Sequence, residues 1–353
     1  MILCNSDYHT PFTKILLSNT VTSKNPFYNT SPNFSLPPKY PPSSIFTEIP
    51  SKYAKFNQQI HQQGVEIRPL LFLPLINNAQ GGHVVALGRS KDFISMNTDD
   101  VFILRHNSKP FATTTGRNVT YGPSLTSLKK KSWPSILNPT TGYLYILLDY
   151  GQEEAAIAAC FANDQELLTA YLAGDLYLHI GRHPHLAGLD RDSLKKLVLP
   201  HSYGQSAAAY AKEHKIPLEV AQRYWRALKE IFYRVDAELN HRSQLAFRDG
   251  YVNCLDWAAR VTALSNPLAV RNWPVQAAGA DIMRRAVIGL VDAGIDLRLT
   301  IHDAFLIRVP IAEQDKQVAK AIAVLKKASA LVLDGFELNV KVDGVFDGQV
   351  GVV

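Results

Sequence analysis

Two acidic positions sit where carboxylates could gather a cation. In YLYILLDYGQEE, residues 143–154, Asp149 closes an apolar run in which Leu144, Ile146 and Leu148 alternate with Tyr145 and Leu147. That run predicts a buried strand. A carboxylate at the end of such a strand costs free energy unless something pairs with it. Beyond Gly151, Glu153 to Ala159 read as a helix start, with acids in the first turn where the helix dipole favours them. A strand that delivers an aspartate and then turns into a helix can hold a metal ion. A surface aspartate at a strand–helix corner fits the same pattern. The second position lies in LRLTIHDAFLIRV, residues 297–309, where His302-Asp303 separates two alternating apolar runs. This predicts a hairpin with a tight acidic tip. Two aspartates on adjacent strand ends can bracket a pair of divalent cations, which stabilise the attacking and leaving oxygens of a phosphoryl transfer. Metal phosphohydrolases also use a His-Asp pair, but on a helix, and the strand setting here argues against that class.

A third constellation is cationic. Arg191, Lys195, Leu199 and Tyr203 recur at every fourth residue of LDRDSLKKLVLPHSYGQSAAAYA, 189–211, which places them on one slowly winding helix face. Two cations followed by an aromatic could hold a triphosphate at one end and a base at the other. An amphipathic helix with basic residues in solvent is the plainer alternative. Pro200 is expected to kink this helix before Tyr203.

The positioning elements follow from the same patterns. Residues 152–263 are helix-rich, with one long helix expected over 216–250 and Gly250 beyond its end. Asn272 to Ala293 reads as a helix bearing Asn272 and Gln276 on one side, Ala312 to Leu333 as an amphipathic helix, and 336–344 as a final strand. Upstream, 1–45 is rich in Pro, Ser and Asn and is expected to be irregular. Tyr53 to Gln63 suits a helix, 71–77 and 83–88 suit short strands, and 111–125 suits a loop. Lys129 to Lys131 and the Asp236-x-Glu238 pair read more readily as solvated charge than as contacts.

The chain has 353 residues, 46% of them hydrophobic, a net charge of +6 and three scattered cysteines without a CxxC pair. The length supports two or three subdomains, and the charge permits a polyanionic partner. The cysteines exclude a disulfide framework and argue against structural zinc. No run approaches a membrane span, and the expected setting is soluble and cytoplasmic, nucleoid-associated in a bacterium.

From about Thr113 onward, these residues in this order resemble the polymerase module of family A DNA polymerases, the class of bacterial DNA polymerase I. DYGQEE at 149–154 is similar to motif A. Arg191, Lys195 and Tyr203-Gly204 are similar to the R-x3-K-x7-YG pattern of motif B, and His302-Asp303 to motif C. Thr115-Gly116-Arg117, followed by Pro123-Ser124-Leu125, and the Asn272…Gln276 spacing also match family patterns.

The resemblance implies an α+β right-hand polymerase fold, with an antiparallel palm sheet, a helical fingers insertion and a reduced or absent thumb. The palm would comprise 113–160 and 265–353 and the fingers 161–264, with 46–112 a small N-terminal region. It implies that Asp149 and Asp303 bind two magnesium ions, with manganese as an alternative. Arg191, Lys195, His179, Tyr203 and Gln152 would bind the incoming nucleotide, and Glu154 would crowd its 2′ position. Arg117, Asn272, Gln276 and His302 would contact DNA. The implied partners are a DNA primer-template, deoxynucleoside triphosphates and a processivity or replication partner. Too few acids stand in residues 1–91 (Asp7, Glu48 and Glu66) for a proofreading exonuclease, and none is expected. Three positions depart from the family: Leu199 replaces a phenylalanine, Ala304 an acid, and Ala156 an arginine. His302-Asp303-Ala304-Phe305 resembles instead the HDSF of single-subunit phage-type RNA polymerases. An RNA-synthesising or primase-like relative and a catalytically weak nucleic-acid-binding accessory are therefore the alternatives to a DNA polymerase.

Overall fold

A four-stranded antiparallel sheet, in the order β11-β6-β10-β9, carries the acidic positions. Its strands are β6 (Tyr143–Tyr150), β9 (Asp296–Ile301), β10 (Ala304–Pro310) and β11 (Val340–Phe346). The computed structural model describes residues 45–69, 71–72, 94–96 and 102–349. Both faces of the sheet are covered, which is why β6 reads as an almost unbroken apolar run. Leu144, Ile146, Leu148 and Tyr150 enter one core with Phe305, Ile307 and Val309. Tyr145 and Leu147 enter the opposite core with Leu299, Leu306 and Phe346. Burying each of these large side chains contributes about 1.5–3 kcal/mol.

The first core is closed by α10 (Pro267–Asp292) and α11 (Gln314–Val332), which pack on each other, and by α1 (Ile45–Gln63), which lies against α10. Asn266 caps α10, accepting from the amides of Leu268 and Ala269, and Pro267 follows at the first turn, where a missing N–H costs nothing. The helix therefore begins five residues before the expected Asn272. The second core is lined by β1 (Val65–Ile67) and by Trp133 and Ile136 of the short α2 (Trp133–Ile136). Glu66 is buried there and held by Thr140, the Tyr145 hydroxyl and Arg308.

Between β6 and β9 the chain forms mainly helices: α3 (Glu153–Phe161), α4 (Gln165–Leu172), α5 (Leu176–Ile180), α6 (Arg191–Ser202), α7 (Ala207–His214), α8 (Leu218–Ile231) and α9 (Tyr233–Asp249). Side-chain caps from Asp164, Asp175, Asp190 and Ser206 start four of them. A hairpin, β7 (Tyr251–Cys254) with β8 (Trp257–Arg260), then leads back to α10. Two smaller sheets lie upstream, β1-β3-β2 with β2 (Ile94–Met96) and β3 (Phe102–Leu104), and β4-β5 with β4 (Asn107–Lys109) and β5 (Val119–Tyr121).

Several expectations need correction. The single helix over 216–250 is two, because Phe232 leaves helical geometry (φ −96°, ψ 17°), although its carbonyl still accepts from Asp236 N–H. Helix α6 passes through Pro200 but stops at Ser202, and Gly204 (φ 82°) closes the turn. The last strand begins at Val340 rather than 336, since Leu338 N–H and Asn339 N–H are taken by Ser329 and Tyr171 side chains instead of a strand partner. The 111–125 loop contains β5. Leu71 and Phe72, expected in a strand, are helical. The rest of 71–77, all of 83–88 and residues 1–44 lie outside the described residues. No helix among the described residues is long and apolar enough to cross a membrane.

Candidate active site

A cleft of about 1040 Å³ opens between the sheet, α6 and α10, with Asp149 and Asp303 among its lining residues. Strand register brings the two together. Ala304 pairs with Asp149 across β6 and β10, and Tyr150 N–H donates to the Asp303 carbonyl at 3.1 Å. His302 takes a left-handed conformation (φ 50°) in the two-residue turn between β9 and β10, leaving Asp303 facing the cleft. Burial first, and then repulsion by Asp149, push the Asp303 carboxyl up to about 6. Opposed carboxylates of this kind are relieved by a cation.

Two oxygen-donor carboxylates suit magnesium, which is commonly held by one or two carboxylates and completed by water and substrate phosphates. Among the described residues no group of three or more His, Cys, Asp or Glu gathers in a metal-holding arrangement. Asp149 and Asp303 are oxygen donors of the type such a site uses.

Glu154, on the first turn of α3, accepts from Arg117 Nη2 at 2.6 Å and from the Tyr203 hydroxyl. Burial and this bond push the Tyr203 phenol up to about 12, and Gln276 of α10 lines the cleft with it. The network thus ties α3, the end of α6 and the loop carrying Arg117. Hydrogen bonds hold that loop in place. The Thr114 carbonyl accepts the indole N–H groups of Trp257 and Trp273, both at 2.9 Å, and Thr113 Oγ1 accepts Arg117 N–H. Gly116 adopts φ 75°, and a Cβ there would lie 3.1 Å from both Trp257 and Arg284.

Lys195 and Leu199 line the cleft from one exposed face of α6, Arg191 joins them from its first turn and Tyr203 from just past its end. Arg191 is paired with Asp175 and stacked on Tyr177. Gln152 (φ 53°) also bonds Asp175 at 2.8 Å and accepts Leu176 N–H, so it ties the β6–α3 turn to α5. Asn272 is buried and accepts from Arg271 at 3.2 Å.

His179 is not among the cleft-lining residues. It faces Glu166 at 3.5 Å in a separate hollow with His183 and Arg182, because α5 carries it one turn past Asp175 and away from Arg191. Two charges read as solvated are paired instead: Asp236 with Arg271, and Lys130 with Asp343. All four of these side chains line the cleft.

Sequence reasoning also missed Glu153 and Lys341. Glu153 reads as an ordinary first-turn acid, yet it is 5% exposed, and its Oε1 has no hydrogen-bond partner. Burial, then Asp303, push its carboxyl up to about 8. Gly279 makes room for it: a Cβ there would lie 3.2 Å from Glu153 Oε2. Lys341 stands 3.0 Å from Asp149. The alternating pattern of β11 would have marked Lys341 as one-faced, but not which acid it meets.

This sheet-and-helix arrangement is that of a polymerase domain. It matches the POL domain of Pol1 from M. smegmatis, solved in complex with DNA primer-template and dNTP, with a TM-score of 0.61 and 23% identity over 72% of this chain and 49% of that one. Residues 95–346 match the model of DNA polymerase family A, and the chain belongs to that family. The thermostable DNA polymerase I of Thermus aquaticus is 27% identical over 208 residues, 53% of this chain and 24% of that protein. The DNA polymerase of Mycobacterium phage L5 is 27% identical over 197 residues, covering 55% and 32%. The matched stretch thus spans about a quarter to a third of these relatives' length.

Proposed function

We propose that the chain is a template-directed DNA polymerase that extends a primer 3′ hydroxyl with deoxynucleotides and releases pyrophosphate. The observation that carries the reading is the cleft itself, with Asp149 and Asp303 on the sheet side and Arg191 and Lys195 on the α6 side. Two divalent ions held by Asp149 and Asp303 would stabilise charge on the attacking and leaving oxygens. The chain's own residues do the rest. Lys195 and Arg191 bind the triphosphate, and Arg191 exchanges Asp175 for phosphate as it does so. Arg117 and Tyr203 hold Glu154 from two sides, so that its carboxylate fills the volume a 2′ hydroxyl would need. Arg117, Asn272, Gln276 and His302 line the same cleft, as expected of contacts to primer and template.

In this reading 113–160 and 265–353 form the palm and 161–264 the fingers. A proofreading exonuclease is not part of this reading, because residues 1–91 hold only Asp7, Glu48 and Glu66 as acids. A primer-extension assay with magnesium tests the proposal. Wild-type protein should lengthen a labelled primer on its template, and Asp149→Asn or Asp303→Asn should abolish extension while leaving the fold intact. Robust extension by either variant would remove the metal site from the mechanism. Ala304, directly across from Asp149 where the family carries an acid, favours one second reading, an RNA-synthesising enzyme. Equal use of ribonucleotides by wild-type protein would establish it.

A further inference from the structure

Lys341 is a cation that the reading above leaves without a role. On β6, Asp149 has two cross-strand neighbours, Ala304 on β10 and Lys341 on β11. Residues directly opposite in an antiparallel pair share a face. At the carboxylate the sheet therefore reads Ala–Asp–Lys, uncharged on one side and positive on the other. The Lys341 ammonium lies 3.0 Å from Asp149 Oδ2 and 3.4 Å from Asp343 Oδ1. Asp343 also takes Lys130, so acids and bases alternate along one edge of the cleft.

We propose that Lys341 is a positioning residue of the carboxylate site, a positive charge held beside Asp149 that sets how tightly the site takes a divalent cation. The inference rests on the polymerase reading of Asp149 and Asp303. Strand register places the Lys341 backbone opposite Asp149, whatever the site binds. A divalent ion that takes the facing oxygen of Asp149 must displace the ammonium towards Asp343. Even there the positive charge stays within a few ångströms, inside the roughly 8 Å screening length of physiological salt. Both effects weaken cation binding and hold the Asp149 carboxylate in one orientation. The lysine side chain is 54% exposed, so solvent screens the effect. An exposed pair of this kind alters an affinity about two- to fivefold.

The test is the dissociation constant of Mn²⁺, read from the EPR signal of the free ion with the full chain. It is measured for wild type, Lys341→Arg, Lys341→Met and Lys341→Glu, with and without Asp149→Asn. Lys341→Arg should resemble wild type. Lys341→Met should bind about two- to fivefold more tightly, and Lys341→Glu more tightly still. The ranking should collapse when Asp149→Asn is present. A merely structural lysine would not order these variants by charge. If Asp149→Asn weakens Mn²⁺ binding but Lys341→Met leaves it unchanged, the role of Lys341 is refuted and the metal reading stands. If Mn²⁺ binding ignores Asp149→Asn, the metal reading itself fails and this inference goes with it.

Discussion

Glu153→Gln should make the metal-free protein more stable in mild alkali. Glu153 is 5% exposed, one of its oxygens lacks a donor, and its carboxyl is pushed from 4.5 up to about 8, by burial first and then by Asp303. A carboxyl whose folded pKa lies above its unfolded one contributes stability that is full below about pH 4.5 and is lost as pH rises through about 8. From pH 6.5 to 8 the unfolded chain has already released this proton, while the folded chain largely keeps it. Stability then falls by about 1.4 kcal/mol per pH step, or about 2 kcal/mol over the interval. For a chain of this size that is about 3 °C in Tm. The imidazoles of half-buried His61 and buried His106, pulled by desolvation down to about 4 and about 3, titrate with the opposite sign, but equally in both proteins. Thermal unfolding of wild type and Glu153→Gln across pH 6–9 in EDTA isolates the difference. Parallel Tm profiles would refute the argument, since they would mean that Glu153 reaches water or a donor in solution.

The remaining expectations concern the cleft. Glu154→Ala should admit ribonucleotides while deoxynucleotide incorporation stays measurable, because it empties the volume between Arg117 and Tyr203; kcat/KM for both sugars decides it. Lys195→Ala and Arg191→Ala should raise the nucleotide KM or slow the chemistry with little effect on primer-template affinity. A collapse of DNA binding with unaltered nucleotide kinetics would make α6 a nucleic-acid contact instead. Gly116→Ala should cost about 2 kcal/mol in denaturant unfolding, through left-handed strain and the clash with Trp257 and Arg284. It should also weaken primer-template binding by shifting Arg117. Primer-template affinity should fall steeply between low and moderate salt, as expected where phosphate contacts dominate.

Local pattern was enough for much of this molecule. Unbroken apolar alternation marked β6, the break at His302-Asp303 marked the hairpin, and the four-residue spacing from Arg191 to Tyr203 marked one face of α6. The order of these motifs pointed to the family. Each such signal repeats within a few residues, so it survives without tertiary information. What the tertiary structure decided lies between segments far apart in the chain. Cross-strand register set Ala304 and Lys341 on either side of Asp149, and no periodicity within β6, β10 or β11 specifies that pairing. The depth of Glu153 depended on Gly279, more than a hundred residues away, leaving space beside α3. Asp175 faces Arg191, and α5 carries His179 into a separate hollow beside Glu166. At Phe232 a small change of backbone angle divided a helix whose sequence runs on without interruption. Charge is where sequence patterning said least: whether a polar side chain is solvated, paired or stranded is fixed by what packs against it, and that neighbour is rarely nearby in sequence.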